Sequence, residues 1–109
     1  MDQVFMLKKR GANARGTMSD EGFVILAGSK GPVAVTDSFE DGKKALRQKL
    51  IERGVLKVEG EEIVFTEDYL LGTPSGAAVL VCGRSTNGWT SWTNDKGVTI
   101  DAIFRKSKD

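Results

Sequence analysis

The stretch Thr73–Trp92, which reads Thr-Pro-Ser-Gly-Ala-Ala-Val-Leu-Val-Cys-Gly-Arg-Ser-Thr-Asn-Gly-Trp-Thr-Ser-Trp, carries the most specific pattern in this chain of 109 residues. Thr73 and Pro74 are typical of a helix start, because a threonine hydroxyl can accept from a free first-turn amide and proline lacks an amide that would be unpaired there. The apolar run Ala77–Cys82 also has the length and the valines of a buried strand, which is the alternative. The capping residues favour a short helix over about 74–82.

The loop after this helix, Gly83–Trp89, has the composition of a ligand-binding loop. Arg84 can contact a phosphate or carboxylate, and Asn87 can hydrogen-bond to a ligand. An aromatic ring, from Trp89 or Trp92, can stack on a base or sugar. The alternative is that the Asn-Gly pair is only a turn and that the tryptophans belong to the core or to a hairpin. Two tryptophans three positions apart on one strand point to opposite faces, so at most one of them should be fully buried.

The segments on either side of the Asn-Asp-Lys-Gly sequence at 94–97 predict a β-hairpin. Trp89–Thr93 forms one arm and Val98–Phe104 the other, because apolar and polar residues alternate in the second arm as in a half-buried strand. The last four residues, 106–109, are expected to form a frayed tail. The apolar residues expected on the packed face of the second arm are Val98, Ile100, Ala102 and Phe104.

A longer amphipathic helix is predicted over about 38–53. Ser38 can cap its first turn, and the acidic residues that follow suit the positive end of the helix dipole. Phe39, Leu46 and Leu50 recur on one face and predict the buried stripe. The basic residues expected along one flank of that stripe are Lys43, Lys44 and Arg47.

Five further segments predict strands from their apolar content or their alternation: Val4–Leu7, Ala12–Met18, Phe23–Ser29, Val55–Val58 and Glu62–Thr66. The third is apolar on both alternating sets and should be central, whereas the second is polar and should be an edge strand or an extended loop. Lys30–Asp37 contains Gly-Pro and predicts a connection, and the last two segments should pair as a hairpin. The predicted fold class is therefore α+β: a single compact domain with an antiparallel or mixed β-sheet built from hairpins, and two helices (about 38–53 and 74–82).

Residue usage argues against several classes of chemistry. The chain has no histidine, which is the commonest general base and the commonest metal ligand. Cys82 is the single cysteine, so no internal disulfide or cysteine-rich zinc site can form, and its apolar neighbours predict a core residue. The acidic residues of the middle segment lack the spacing of a calcium loop. We expect no metal, no cofactor and no catalysis, with a small hydrolase using Asp68 and Tyr69 as a minor alternative.

The pattern of apolar residues predicts a cytoplasmic location. The longest apolar run, Ala77–Cys82, is far shorter than the roughly 20 residues that span a bilayer. The charges of the N-terminus follow its apolar stretch rather than precede it, which is unlike a secretory signal. We therefore expect no membrane contact.

Positive charge is concentrated near both termini, although the formal net charge is only +1. If the two ends lie together in the fold, they form one basic surface that can contact phosphates. The alternative is that charged ends and loops are simply solvated. The basic residues of the two ends are Lys8, Lys9, Arg10 and Arg15, and Arg105, Lys106 and Lys108.

Several segments, taken in order along the chain, resemble a known bacterial family. They are Ala14-Arg15-Gly16, Gly22–Ser29, Leu46-Arg47, Phe65–Tyr69, Pro74–Ala78 and Gly83–Trp92. Together they resemble the domain of unknown function family 4357, a module often found at the C-terminus of GIY-YIG-type endonucleases and in restriction-associated proteins. The last third is also similar to the RAMA domain, an accessory module of restriction and adenine-methylase systems. Both resemblances imply a non-catalytic module that serves DNA-processing machinery.

The function predicted from the sequence is nucleic-acid binding by such an accessory module. DNA is the expected partner, and binding through phosphate contacts should weaken steeply with salt. The alternative is a protein-interaction module that docks onto a separate nuclease or methylase in trans, or that forms a homodimer. The predicted contact residues are Arg84, Asn87, Trp89, Trp92, Lys8, Lys9, Arg10 and Arg15.

Overall fold

The computed structural model describes residues 3–9 and 11–105, without the side chain of Arg105. Arg10 and the tail predicted at 106–109 lie outside the described residues. These residues form one α+β domain with an antiparallel sheet, which confirms the predicted fold class. In chain order the elements are β1 (Val4–Lys9), β2 (Ala12–Ser19), β3 (Gly22–Ile25), β4 (Lys30–Pro32), α1 (Asp41–Glu52), β5 (Leu56–Glu59), β6 (Glu62–Phe65), β7 (Tyr69–Leu71), α2 (Pro74–Cys82), α3 (Gly88–Ser91) and a π-helical segment, α4 (Asp101–Arg105).

Strand β2 lies at the centre of the sheet. One of its edges pairs with β1, and its other edge pairs with β3 and β4, which follow one another end to end. Beyond them, β7 pairs with β3, β6 pairs with β4, and β5 is outermost. The hairpin predicted around residues 55–66 is present as β5 and β6.

The strand predicted at 12–18 is present as β2, but two predictions about this part of the sheet were wrong. The segment 12–18, predicted as an edge strand or loop, is the central strand, and Lys30–Pro32, predicted as part of a connection, is β4. The inward positions of β2 are small residues such as Ala14 and Gly16, which give a weak apolar signal. A Cβ at Gly16 would overlap the ring of Phe23, so the packing of β3 beside β2 requires a glycine at this position.

The two faces of the sheet have different environments. Side chains such as Phe5, Phe23 and Ile25 are fully buried on the face that packs against α2, which we call the helix face. The residues between them along each strand point to the opposite face, which we call the open face. Side chains there, including Lys8 and Arg15, are exposed or half-buried.

Helix α2 begins and ends as its sequence predicts. The Thr73 hydroxyl accepts from the Gly76 amide at 3.0 Å, Pro74 is the first helical residue, and Gly83 ends the helix at φ 71°. The helix interpretation of residues 74–82 is confirmed over the strand alternative. None of the helices within the described residues is long and apolar enough to cross a membrane.

Helix α1 starts three residues later than predicted. Its first residue is Asp41, and Glu40 precedes it without a capping side-chain hydrogen bond. Ser38, the predicted cap, is engaged elsewhere: its hydroxyl accepts from the amide of Ser85 at 3.0 Å. Arg47, predicted on the flank of the helix, is only 6 % exposed. Its guanidinium is buried because carbonyl groups at the end of α2 accept its hydrogen bonds.

The predicted hairpin over residues 89–104 was wrong. Its first arm is mostly α3, because Asn87 Oδ1 accepts from the amide of Trp89 and caps a helical turn. Its second arm is mostly α4, where the Thr99 hydroxyl accepts from the Ala102 amide. A single bridge between Thr93 and Thr99 remains of the pairing. Of the four residues expected on the packed face, only Ile100 is fully buried, while Val98, Ala102 and Phe104 are exposed.

Gly31 of β4 lies directly under α2, and we expect Gly31→Ala to destabilise the protein by about 2 kcal/mol. A Cβ at this position would overlap the carbonyl oxygen of Val81, so either β4 or the helix has to shift. Gly42→Ala is the matched control, because nothing lies within 4 Å of its Cβ position at the exposed start of α1. It should be neutral or stabilising by up to about 1 kcal/mol. Urea denaturation of both variants measures the difference, and equal free energies of unfolding would contradict the close packing of β4 on α2.

Candidate functional site

A polar cleft of about 220 Å³ lies where the end of β1 meets the end of α2 and the start of α3. It holds two cationic side chains and four hydroxyl groups, and none of its lining residues is acidic. We call it the Arg84 cleft. Its lining residues are Lys9, Cys82, Arg84, Ser85, Thr86, Asn87, Thr90 and Ser91.

The loop that carries Arg84 is fixed on both sides by the segment before α1. The carbonyl of Gly83 accepts from the amide of Thr36 at 3.0 Å. The amide of Ser85 donates to the hydroxyl of Ser38 at 3.0 Å. Arg84 is half-buried between these two anchored residues, so its backbone is positioned before any ligand arrives.

The other wall of the cleft, helix α3, is held against the start of α2. The amide of Gly88 donates to the hydroxyl of Ser75 at 3.0 Å. A Cβ at Gly88 would overlap the carbonyl of Pro74, so the close approach of the two segments requires a glycine. The same carbonyl accepts from Trp92 Nε1 at 3.0 Å. The loop that joins α2 to α3 is therefore held in place at its α3 end as well.

The two tryptophans and Asn87 differ in what they can offer a ligand. Trp92 is 0 % exposed and its ring centroid lies 4.6 Å from that of Phe23, so its predicted contact with nucleic acid was wrong. Trp89 is half-buried against the core, which confirms that at most one of the pair is fully buried. Asn87 lines the cleft, but its Oδ1 caps α3, so its amino group is the part that can donate to a ligand.

The adjacent lysines of β1 point to opposite faces of the sheet. Lys9 follows the buried set of Phe5 and Leu7 and enters the Arg84 cleft, where its Nζ donates to the Ser91 hydroxyl at 3.2 Å. Lys8 lies on the open face beside a shallow cleft of about 310 Å³. Ser91 lines both clefts, so they are neighbours on the two sides of this residue beside β1.

Two further described cations, Arg15 and Lys30, do not line the Arg84 cleft. Arg15 is exposed on the open face of β2, opposite Met6 in the register with β1. Lys30 was missed by the sequence interpretation, because the three residues of β4 include Gly31 and Pro32 and show no apolar alternation. Its register opposite Asn13 places it on the same face.

The thiol of Cys82 forms part of the floor of the Arg84 cleft. It is only 2 % exposed, which confirms that the residue belongs to the core. Burial raises its pKa, and the positive charges of Lys9 and Arg84 and a hydrogen bond to Thr86 oppose that increase. Because the pKa remains above its ordinary value, the thiol is protonated at neutral pH and is a poor nucleophile. Lys9 and Arg84 therefore share the cleft with an uncharged thiol.

The residues of the minor hydrolase alternative have structural partners. Asp68 Oδ1 accepts from the amide of Ala27 at 2.8 Å and so holds the turn after β3. Tyr69 is half-buried against the core. The part of the chain that the structure describes has no group of three or more acidic or cysteine side chains able to hold a metal ion.

Comparison with known families adds one finding to this geometry. The family model of the domain of unknown function DUF4357 matches residues 5–104. The chain belongs to this family. No curated protein and no solved structure matches the DUF4357 chain. The match covers the sheet from Phe5 onward, α1, α2 and the whole Arg84 cleft, so the cleft lies within the family domain.

Proposed function

We propose that this DUF4357 chain is a non-catalytic DNA-binding module that holds a backbone phosphate in the Arg84 cleft. The observation that carries the proposal is the convergence of Lys9 and Arg84 on a cleft with four hydroxyl groups and no acidic lining residue. Arginine presents several donors in a planar fork that matches phosphate oxygens, and lysine adds a compact charge. Hydroxyl and amide groups donate the further hydrogen bonds that protein–DNA contacts direct to phosphates.

The size of the cleft supports a phosphate rather than a complete small molecule. Its volume of about 220 Å³ is below the range of roughly 300 to 1,000 Å³ that is typical of pockets for small molecules and cofactors. A phosphate and part of its sugar fit this space while the rest of the polymer stays outside. The anchored Gly83–Ser85 loop also reduces the ordering cost of binding.

The biological setting of the proposal comes from the sequence resemblance. A module similar to those of restriction and nuclease systems would recruit a nuclease or methylase in trans to DNA in the cytoplasm. The buried thiol and the structural role of Asp68 support a module without its own catalysis.

Titration of a fluorescent duplex at several salt concentrations tests the proposal. We expect saturable binding at low salt, and log Kd should rise with log salt at a slope of about 0.9 for each phosphate contact. Amide chemical shifts of residues 83–91 should change on binding. An absence of saturable binding at low salt would overturn the DNA-binding function.

Such a negative result would favour the protein-interaction alternative. Its nearest structural support is a group of exposed valines, Val33, Val35 and Val58, around an apolar groove beside α1. This groove adjoins β5, at the opposite edge of the sheet from β1.

A further inference from the structure

The register of the sheet brings together cations that are distant in sequence. Lys8 of β1 lies opposite Asn13 of β2, and Asn13 lies opposite Lys30 of β4. Directly paired residues share a face, so both lysines are on the open face, two strands and about 10 Å apart at the backbone. Arg15 is two residues after Asn13 along β2 and therefore also faces this side.

The same face supplies an internal comparison. Lys57 of β5 continues the row, because it pairs with Val64, which pairs with Lys30. Its Nζ lies 3.8 Å from the Glu59 carboxylate, so its charge already has a partner. The two ion pairs found among the described residues involve neither Lys8, Arg15 nor Lys30. The same register places Glu59 and Glu62 on this face at β5 and β6. The open-face positions of β1, β2 and β4 hold three cations and no acidic residue, so the excess of positive charge is there.

This part of the open face adjoins the Arg84 cleft. The shallow cleft beside Lys8 shares Ser91 with the Arg84 cleft, and Lys9 donates to that serine. Five cationic groups thus follow one path around the edge of β1. In order along that path they are Arg84, Lys9, Lys8, Arg15 and Lys30.

We infer that the open face at β1, β2 and β4 is the second half of the DNA-binding surface, and that its ligand is the backbone of double-stranded DNA. This inference rests on the proposed function and extends it from one phosphate to a track of several. The charge on the face complements phosphates, and its cations are held at fixed spacing by a paired sheet. The other described side chains that β1, β2 and β4 place on this face are aliphatic or polar, such as Val4, Met6 and Thr17. The one exposed ring nearby among the described residues, Phe104, lines a separate cleft with Thr17, so a single strand would find no row of rings on which successive bases could stack.

The test compares a triple variant with a matched single variant. Lys8→Gln, Arg15→Gln and Lys30→Gln together should weaken binding to a duplex about 30-fold at low salt, or roughly threefold for each exposed contact. The slope of log Kd against log salt should fall by about 2.7, which is 0.9 for each lost phosphate contact. Lys57→Gln removes a charge from the same face and should leave both quantities unchanged.

The outcomes separate this inference from the function on which it rests. If the triple variant binds duplex like the unaltered chain, the open-face track is wrong and the Arg84 cleft stands alone. If single-stranded DNA of the same sequence binds more tightly than duplex, the assignment to duplex is wrong. If the unaltered chain binds neither, the proposed function itself fails. Circular dichroism of all variants shows that the sheet is intact.

Discussion

Removing both charges of the Arg84 cleft, with Lys9→Gln and Arg84→Gln in one chain, is expected to weaken duplex binding about 100-fold at low salt. Each charged hydrogen bond to a phosphate contributes about 1.5 kcal/mol or more to binding, which is about tenfold in Kd. The loss of two such bonds therefore raises Kd about 100-fold. The effect per charge is larger than on the open face, because Arg84 is half-buried and its loop is anchored. Fluorescence anisotropy at fixed salt measures it.

The control removes two positive charges at the end of α1, near β5, which lies at the edge of the sheet opposite β1. Lys49→Gln and Arg53→Gln alter exposed residues at the end of α1, which leads into β5. This variant should bind DNA nearly as well as the unaltered chain. Equal losses in the two double variants would mean that net charge alone governs binding, and the cleft would then have no special role.

Local signals in the sequence predicted elements that local contacts stabilise. The cap at Thr73, the proline after it and the glycine at 83 bound α2, and all three act within one helix. The hairpin of β5 and β6 was predicted for the same reason, since its two strands are joined by a tight turn. Neither element depends on where distant parts of the chain lie.

Elements whose stability depends on distant partners were predicted less well. Central strand β2 buries small residues beneath α2 and carries polar residues on the open face. Its sequence therefore has the low apolar content that is typical of an edge strand. The alternation of Val98–Phe104 predicted a strand, but the Thr99 hydroxyl accepts from the Ala102 amide where a helical segment begins, and only the bridge from Thr93 to Thr99 remains of the pairing. Periodicity identifies an apolar face without identifying what covers it.

In the candidate site too, the residues of one local loop were predicted, whereas those brought in by distant contacts were not. The loop Gly83–Trp89 was predicted as the binding loop, and Arg84 and Asn87 line the cleft. Lys9 lies beside them because β1 ends next to α3 in the folded chain. This contact joins residues that are far apart in sequence, so local patterns do not predict it. Trp92 failed as a contact residue because its indole is needed between Phe23 and the carbonyl of Pro74.

Arg47→Met is expected to cost about 4 kcal/mol of folding free energy, a large part of the stability of an ordinary domain. The guanidinium donates to the carbonyls of Leu80 and Val81 at 3.0 Å each, and also to that of Pro32 at 3.0 Å. It lies 5.1 Å from the centroid of the Phe39 ring. Burial lowers its pKa to about 10, so it is still charged at neutral pH. Methionine fills much of the space but leaves the buried carbonyls without donors.

Chemical denaturation compares this variant with two others. Lys49→Met adds the same side chain at an exposed position of α1 and should change stability by less than about 0.5 kcal/mol. Arg47→Lys keeps the charge and can reach only some of the carbonyls, so its loss should be intermediate. A loss below about 1 kcal/mol for Arg47→Met would contradict the role of Arg47 as the tie between α1, β4 and α2.

Binding measurements on Arg47→Lys connect this tie to the proposed function. The carbonyls of Leu80 and Val81 that Arg47 holds lie in the last turn of α2, and Arg84 follows the helix directly after its cap, Gly83. A displaced helix end should therefore move the cleft and raise Kd for duplex DNA. The slope of log Kd against log salt should not change, because Arg47 is buried and contacts no phosphate itself. A reduced slope would instead mean that Arg47 reaches the DNA.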